Sequence, residues 1–359
     1  MSIRDVASRA GVSTATVSRV VSGRGYVAPE TRERVLAAVA DLGYVTDQLA
    51  RGLKTRRTHS VGLLVPEIVN SFYTTIVRGV EDTANANGIH VIIGNTDDDT
   101  AKEHDYLRLL MGLRVDGIVI APAGGASPGL SHVIRRGIPT VLIDRTVEGV
   151  AADRVHSDNE SAARALTRYL LARGFRRIAL VNGDATTSVA MERSSGYTSA
   201  LNGAGIPVLP NLISDGPWTA EDAQRRTAEL LRSSPLPDVI FAANNFLALG
   251  ALRALRSLGV ASPETLPVAC FDALSLFVTL DPLIAAMDQP AREMGEVAMR
   301  LLLDRISGAY TGAAREIVLP SMLITRDDVP ALGFAGQSPA ALVARRHETR
   351  AAPIETVHT

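Results

Sequence analysis

Near the start of the chain three short stretches repeat apolar residues at helical spacing. Beyond them, compact apolar runs alternate with longer amphipathic ones. In the first stretch Ile3, Val6, Ala7 and Ala10 share one helical face. Gly11 follows, where a helix end favours a residue free to take a positive φ. Ser13 is placed to cap a second helix through its side-chain oxygen. In that helix Val17, Val20 and Val21 point inward and leave Thr14, Ala15, Ser18 and Arg19 outward. A third run over 29–42 places Val35, Leu36 and Val39 inside, with Pro29 in the first turn and Gly43 at the exit.

From Val61 onward the period changes. "VGLLVP", "HVIIGN", "DGIVIAP", "TVLID", "IALVNG", "DVIFAAN" and "LPVACFD" read as strands, and Phe72–Ala86, Asn159–Arg173 and Ala248–Leu258 as helices between them. Repeated β-α units predict parallel sheets with helices on both faces. There are too many strands for one small sheet. The expected fold is therefore an all-α helix-turn-helix headpiece followed by an α/β region, whose ligands should gather beyond the C-terminal strand ends.

Composition narrows the reading. With 359 residues, 46% hydrophobic and 21% charged, the chain can bury two or three cores. Aromatics are only 4%, so Val, Leu, Ile and Ala must fill those cores. A single cysteine, Cys270, excludes an intrachain disulfide framework and fits a reducing cytosol. No leader-like pattern opens the chain and no apolar run nears ~18 residues, so a soluble, cytoplasmic protein is expected.

Charge is unevenly spread. Through His59 there are ten basic residues against five acidic ones, about +5 at the front of a chain whose net charge is −1. That asymmetry suits a polyanion partner, although a solvated basic face would look the same. Patterning alone also allows a plain three-helix bundle. A helix lodged in the major groove, however, needs small or polar outward residues near its N-terminus and a base to reach guanine or phosphate. Thr14, Ala15 and Arg19 supply these.

The segment "IRDVASRAGVSTATVSRVVSGRGYVAPETRERVLAAVADLGY" resembles the DNA-binding headpiece of the LacI/GalR family of bacterial transcription regulators. "VSTATVSRV" and "ETRERV" carry the match, and the similarity runs on to "ITRDD" at 324–328. The resemblance implies a DNA face of Ser13, Thr14, Ala15, Thr16, Ser18, Arg19, Arg24 and Tyr26, with Thr14, Ala15 and Arg19 reading bases. Ser22 stands where the family often has Asn.

"TDQLARGLKTRRT" reads by itself as a short helix and a basic tether. The family suggests a hinge helix that orders on DNA, with Leu53 as a minor-groove wedge. Gly52 beside it would weaken that helix off DNA.

For the remainder the resemblance implies a periplasmic-binding-protein-like domain: two α/β lobes joined by linking strands, with a ligand cleft between them. Its effector residues map onto Phe72, Tyr73, Arg193, Asn244 and Asp272, each just beyond a strand. Here Asn70-Ser71 replaces the family's Asn-Pro, and Asn245 stands where Asp is usual. Asp158, Asn159 and Gln289 match weaker patterns near the cleft. An Arg, an Asn and an Asp beside aromatics suit a sugar, sugar acid or polyol, and a nucleoside could use the same groups.

The expected organisation is a headpiece over 1–45, a hinge helix and linker over 46–59, an effector-binding and dimerisation domain over 60–328, and a disordered tail over 329–359. Its expected partners are operator DNA, a small-molecule effector and a second copy in a homodimer, or a tetramer of such chains.

Two rival readings fit parts of the sequence. A pure solute-binding protein would lack an export signal and leave the basic headpiece idle. A serine hydrolase could be sought in "GASPG" at 125–129, a Gly-x-Ser-x-Gly pattern after a strand. Yet Pro122 to Gly124 separate the strand from Ser127, and Pro128 follows it, so a flexible loop is the expected structure. The seven histidines show no metal spacing and no phosphate-binding glycine loop occurs. "DDD" at 97–99 reads as a solvated loop before a helix. No enzyme activity, metal or cofactor is expected.

Overall fold

The computed structural model describes residues 1–22, 25–44, 57–125, 127–232, 235–259, 266–272 and 283–325. Arg24, Leu53, residues 46–56 of the expected hinge helix and linker over 46–59, and the expected tail over 329–359 lie outside these residues.

The headpiece is three helices, α1 (Ile3–Ala10), α2 (Thr14–Ser22) and α3 (Pro29–Asp41). At the start of α1 the Asp5 carboxylate accepts the Ser2 amide at 2.7 Å. At its end Gly11 takes φ +66°, which lets Val12 N–H reach back to the Ala7 carbonyl at 3.0 Å. The two helices can thus follow each other through a tight turn. Val6, Ala7, Ala10, Val17, Val20, Val35 and Ala38 form the core. Val21 and Val39 pack at its margin. Leu36, expected inside, is 49% exposed. The inward stripe of α3 runs through Val35, Ala38 and Val39, and one residue past Val35 the helix has turned about 100° toward solvent.

The chain divides into two compact units. Unit 1 is Met1–His156 with Ala291–Val318, and unit 2 is Ser157–Pro290 with the chain from Leu319 on.

Beyond the headpiece, unit 1 is built on β1 (Ser60–Val65), β2 (His90–Asn95), β3 (Gly117–Ile120), β4 (Thr140–Ile143), β5 (Asp153–Ser157) and β11 (Glu316–Leu319). The sheet order is β11-β5-β4-β3-β1-β2, and β2, β1, β3, β4 and β5 pair in parallel. Helices α4 (Ser71–Ala86) and α11 (Ala291–Ser307) cross closely. A Cβ on Gly79 would sit 2.2 Å from the Arg292 carbonyl, and one on Gly295 2.3 Å from that of Ile76. Only glycine allows that approach. Helices α5 (Thr100–Leu113) and α6 (Pro128–Arg135) lay Leu107, Leu110, Leu130 and Val133 on Leu64, Ile118, Ile120 and Leu142.

Unit 2 uses β6 (Ile178–Val181), β7 (Ile213–Ser214), β8 (Val239–Ala242), β9 (Val268–Phe271), β10 (Leu283–Asp288) and β12 (Met322–Thr325), in the order β12-β10-β9-β8-β6-β7. All the pairs are parallel except β10 with β12. Helices α7 (Asn159–Ala172) and α8 (Ser188–Gly203) serve one core cluster with Leu180, Phe241 and Phe271. Helices α9 (Ala220–Leu230) and α10 (Asn245–Ser257) serve another with Val181, Ile240 and Val268. Each unit is thus a doubly covered sheet.

All seven expected strands form. The sequence reading missed β5, β7, β10, β11 and β12. β7 has two residues, β11 is half exposed, and β5 ("DRVHS") has Val155 as its one apolar residue.

Candidate functional site

The headpiece presents its polar face as a consequence of core packing. With Val17 and Val20 buried, Thr14, Ala15, Ser18 and Arg19 are exposed on the opposite side of α2. Ser13 Oγ accepts Thr16 N–H at 3.1 Å and lies 3.0 Å from the Thr16 hydroxyl. Ser13 therefore caps α2, and Thr16 supports that cap rather than standing free. Tyr26 is 88% exposed. Ser13, Thr14, Ala15, Ser18, Arg19 and Tyr26 are all surface residues of one small domain, a geometry suited to groove reading.

In unit 1 the residues beyond β1 and β4 come together. Asn70 caps α4, its Oδ1 accepting Phe72 N–H at 2.9 Å, and this holds Phe72 and Tyr73 in the first turn. The two rings meet edge to face at 5.2 Å. Both are buried. The Tyr73 hydroxyl donates to Asp144 Oδ2 at 2.7 Å, and burial raises the phenol well above its ordinary range.

Asp144 has φ +64° and lies 4.0 Å from the Arg145 guanidinium. That guanidinium is buried, bonds the carboxylate of Asp98 and donates to the Pro122 carbonyl at 3.2 Å. Asp98 is therefore not simply solvated, as its run of three acids suggested. Asp99 caps α5 through Ala101 N–H at 2.7 Å, and Asp97 pairs with Lys102. Sequence reasoning missed Asp144 and Arg145. "VLID" reads as the end of a strand, and only the tertiary approach of α4 reveals the partner.

In unit 2 the centre is Arg193, only 2% exposed. Its Nε donates to Asn159 Oδ1 at 2.9 Å, an Nη donates to the Ala243 carbonyl, and its guanidinium carbon lies 3.9 Å from the centroid of the Phe271 ring. Phe271 in turn stacks on Phe241 at 6.0 Å. Asp272, next in sequence, has φ +58° and accepts Gln289 Nε2 at 2.7 Å. Gln289 Oε1 accepts the Ser157 hydroxyl. Asp158 Oδ1 accepts Ser321 N–H at 2.7 Å. Asn244 Oδ1 is engaged as the cap of α10, accepting Leu247 N–H at 2.8 Å, so its role here is to hold that helix. Asn245 is buried and accepts Phe246 N–H at 2.8 Å.

Ser127 does not sit in a loose loop. It is buried and caps α6 through Leu130 N–H at 3.2 Å, and its hydroxyl donates to the buried Glu103. Glu103 also accepts Ala123 N–H at 2.7 Å. This is a helix start tied to a neighbouring helix, with the serine hydroxyl given to a carboxylate. Among the described residues no cluster of His, Cys, Asp or Glu could hold a metal ion. Among them, too, no helix is long and apolar enough to cross a membrane.

A small trihelical head with an exposed polar second helix, joined to two α/β units that converge polar groups at their strand ends, defines a DNA-binding regulator with a small-molecule domain. Residues 2–47 match the bacterial regulatory proteins of the lacI family, and residues 58–327 match the periplasmic binding proteins and sugar binding domain of the LacI family. The chain belongs to the LacI family. It is 34% identical over 306 residues to the HTH-type transcriptional repressor PurR of Vibrio atlanticus, covering 85% of this chain and 91% of that one. It is 35% identical over 301 residues to the ribose operon repressor of Bacillus subtilis, covering 84% and 90%.

Among solved structures, the transcriptional regulator CelR in complex with cellobiose superposes with TM-score 0.70 at 32% identity, covering 92% of this chain and all of that one. The lac repressor dimer bound to operator and the anti-inducer ONPF shares the fold, with TM-score 0.79 at 24% identity over 90% and 98% of the two chains. The relatives are regulators and not enzymes, in keeping with the role of Ser127 as a cap.

Proposed function

We propose that this chain is a repressor that binds a near-palindromic operator as a homodimer, and that a sugar, sugar acid or polyol sets its hold on DNA. Arg193 carries the effector half of this reading. A buried guanidinium costs much to desolvate, and it is held here by an amide, a carbonyl and an aromatic face at the C-terminal edge of a parallel sheet. That is a prepared donor for ligand oxygens, with Asp272 beside Phe271 as acceptor. A ribose operon repressor and a cellobiose-bound regulator among the relatives support a sugar-like ligand.

The DNA half rests on the exposed face of α2. Thr14, Ala15 and Arg19 read base edges, while Ser13, Thr16, Ser18, Arg24 and Tyr26 fix the head on the backbone. Leu53 wedges the minor groove. Two-fold protein symmetry is mirrored in the operator.

The test is thermal stabilisation of the purified chain by neutral sugars, sugar acids, polyols and nucleosides, repeated with Asp272→Asn. Asparagine tolerates the positive φ at this position better than alanine would. One of the first three classes should raise the melting temperature, and the variant should lose that shift while binding operator normally. Stabilisation by nucleosides alone would replace the sugar-like reading. Loss of operator binding in the variant would make Asp272 structural.

A further inference from the structure

The arm that carries the headpiece enters unit 1 at a built clamp. Strand β1 starts at Ser60, and the two residues before it are held by the carboxylate of Asp116, at the start of the neighbouring β3. Thr58 N–H donates to Asp116 Oδ1 at 2.8 Å, and His59 N–H donates to Oδ2 at 2.9 Å. The Thr58 hydroxyl lies 3.2 Å from the same Oδ1 and 3.1 Å from the Arg114 carbonyl. Asp116 N–H answers by donating to the Ser60 carbonyl at 2.8 Å. One residue earlier, an Arg57 Nη donates to the carbonyl of Ile306 near the end of α11 at 2.9 Å.

His59 itself has φ +52°, a conformation that L-residues rarely adopt. A parallel strand needs none of these bonds to begin. They fix the point at which residues 57–59 join the sheet.

We propose that Asp116 is a positioning residue for operator control: it pins the arm to unit 1 so that a change in that unit reaches the headpiece instead of being absorbed as slack. The inference rests on the effector-responsive reading above. Magnitudes separate this role from a mere tether. Freeing three more residues of an arm changes the local concentration of its end by less than about two-fold. Operator affinity without effector should therefore barely move when Asp116 is lost. The coupling between sites, in contrast, commonly spans roughly 5- to 150-fold in affinity, and it requires a rigid connection at the arm.

The experiment uses the full chain, DNA from upstream of its own gene, and a low-molecular-mass filtrate of the source cells. Fluorescence anisotropy gives operator affinity with and without filtrate, and thermal shift reports effector binding. For Asp116→Ala we expect unaided affinity within about two-fold of wild type, an unchanged thermal shift, and loss of the filtrate-driven change in affinity. Thr58→Pro removes two donors to the clamp, the amide and the hydroxyl, while leaving the Asp116 side chain in place, and should weaken the response in the same direction; it decides the matter if Asp116→Ala fails to fold. A variant that responds like wild type overturns the clamp. A wild type that responds to no filtrate overturns the effector reading, and the clamp with it.

Discussion

Arg145 of unit 1 and Arg193 of unit 2 are both buried at the C-terminal edge of their sheets, and the two are held in different ways. In unit 1, Arg145 is surrounded by carboxylates, bonded to Asp98 and close to Asp144, which also receives the Tyr73 hydroxyl. In unit 2, Arg193 is oriented by the Asn159 amide oxygen, the Ala243 carbonyl and the Phe271 ring. Neutral acceptors and an aromatic face set the direction of a guanidinium, whereas adjacent carboxylates also cancel its charge. Arg145 is thus locked in place, as is Arg226 of unit 2 beside Asp222. In the proposed reading Tyr73 has a fixed orientation and Arg193 supplies the polar recognition.

Arg193→Met should have the largest effect. It leaves Asn159 Oδ1 and the Ala243 carbonyl without this donor in a buried setting, which costs about 2–4 kcal/mol in all. Denaturant unfolding should register that loss, and effector-induced stabilisation should vanish. Asp98→Asn should cost less, about 1–2 kcal/mol, because the Asp98 side chain is 31% exposed and solvent screens the pair. Its effector response should remain. If Asp98→Asn removed the response as fully as Arg193→Met, the distinction between lock and donor would fail.

Much of this arrangement was legible in the sequence. The headpiece stripe Val6, Val17, Val20 and Val35 follows directly from helical spacing, and the outward face of α2 follows from the stripe. Six of the seven expected strands are buried almost throughout and read as apolar runs; β2 is a part-exposed edge strand with the same apolar run, and β10 is apolar and buried but lacks turn signals that would mark it off. Short, polar or half-exposed strands such as β7, β5 and β11 carry no such signal.

The same limit governs the sites. Phe72, Tyr73, Arg193 and Asp272 were legible through the family resemblance, on segments that follow strands. Asp144 and Arg145 follow β4 as directly, yet they, Asp98 and Asp116 acquire their roles from residues distant in sequence. Ser127 is a different case. Serine before proline at a helix start is a capping signal in its own right, and the Gly-x-Ser-x-Gly pattern drew attention away from it. Leu36 shows how one residue of phase moves a side chain from core to solvent.

In the proposed reading α2 reads duplex DNA and a small molecule controls its hold. Footprinting of the full chain on DNA upstream of its own gene, across a salt series and with or without the low-molecular-mass filtrate, tests it most directly. The account predicts one protected near-palindromic site, with occupancy that falls steeply with salt and changes with the filtrate, and that Arg19→Ala weakens by about 1–3 kcal/mol at one base pair. No protected site, or occupancy indifferent to every filtrate, would contradict it.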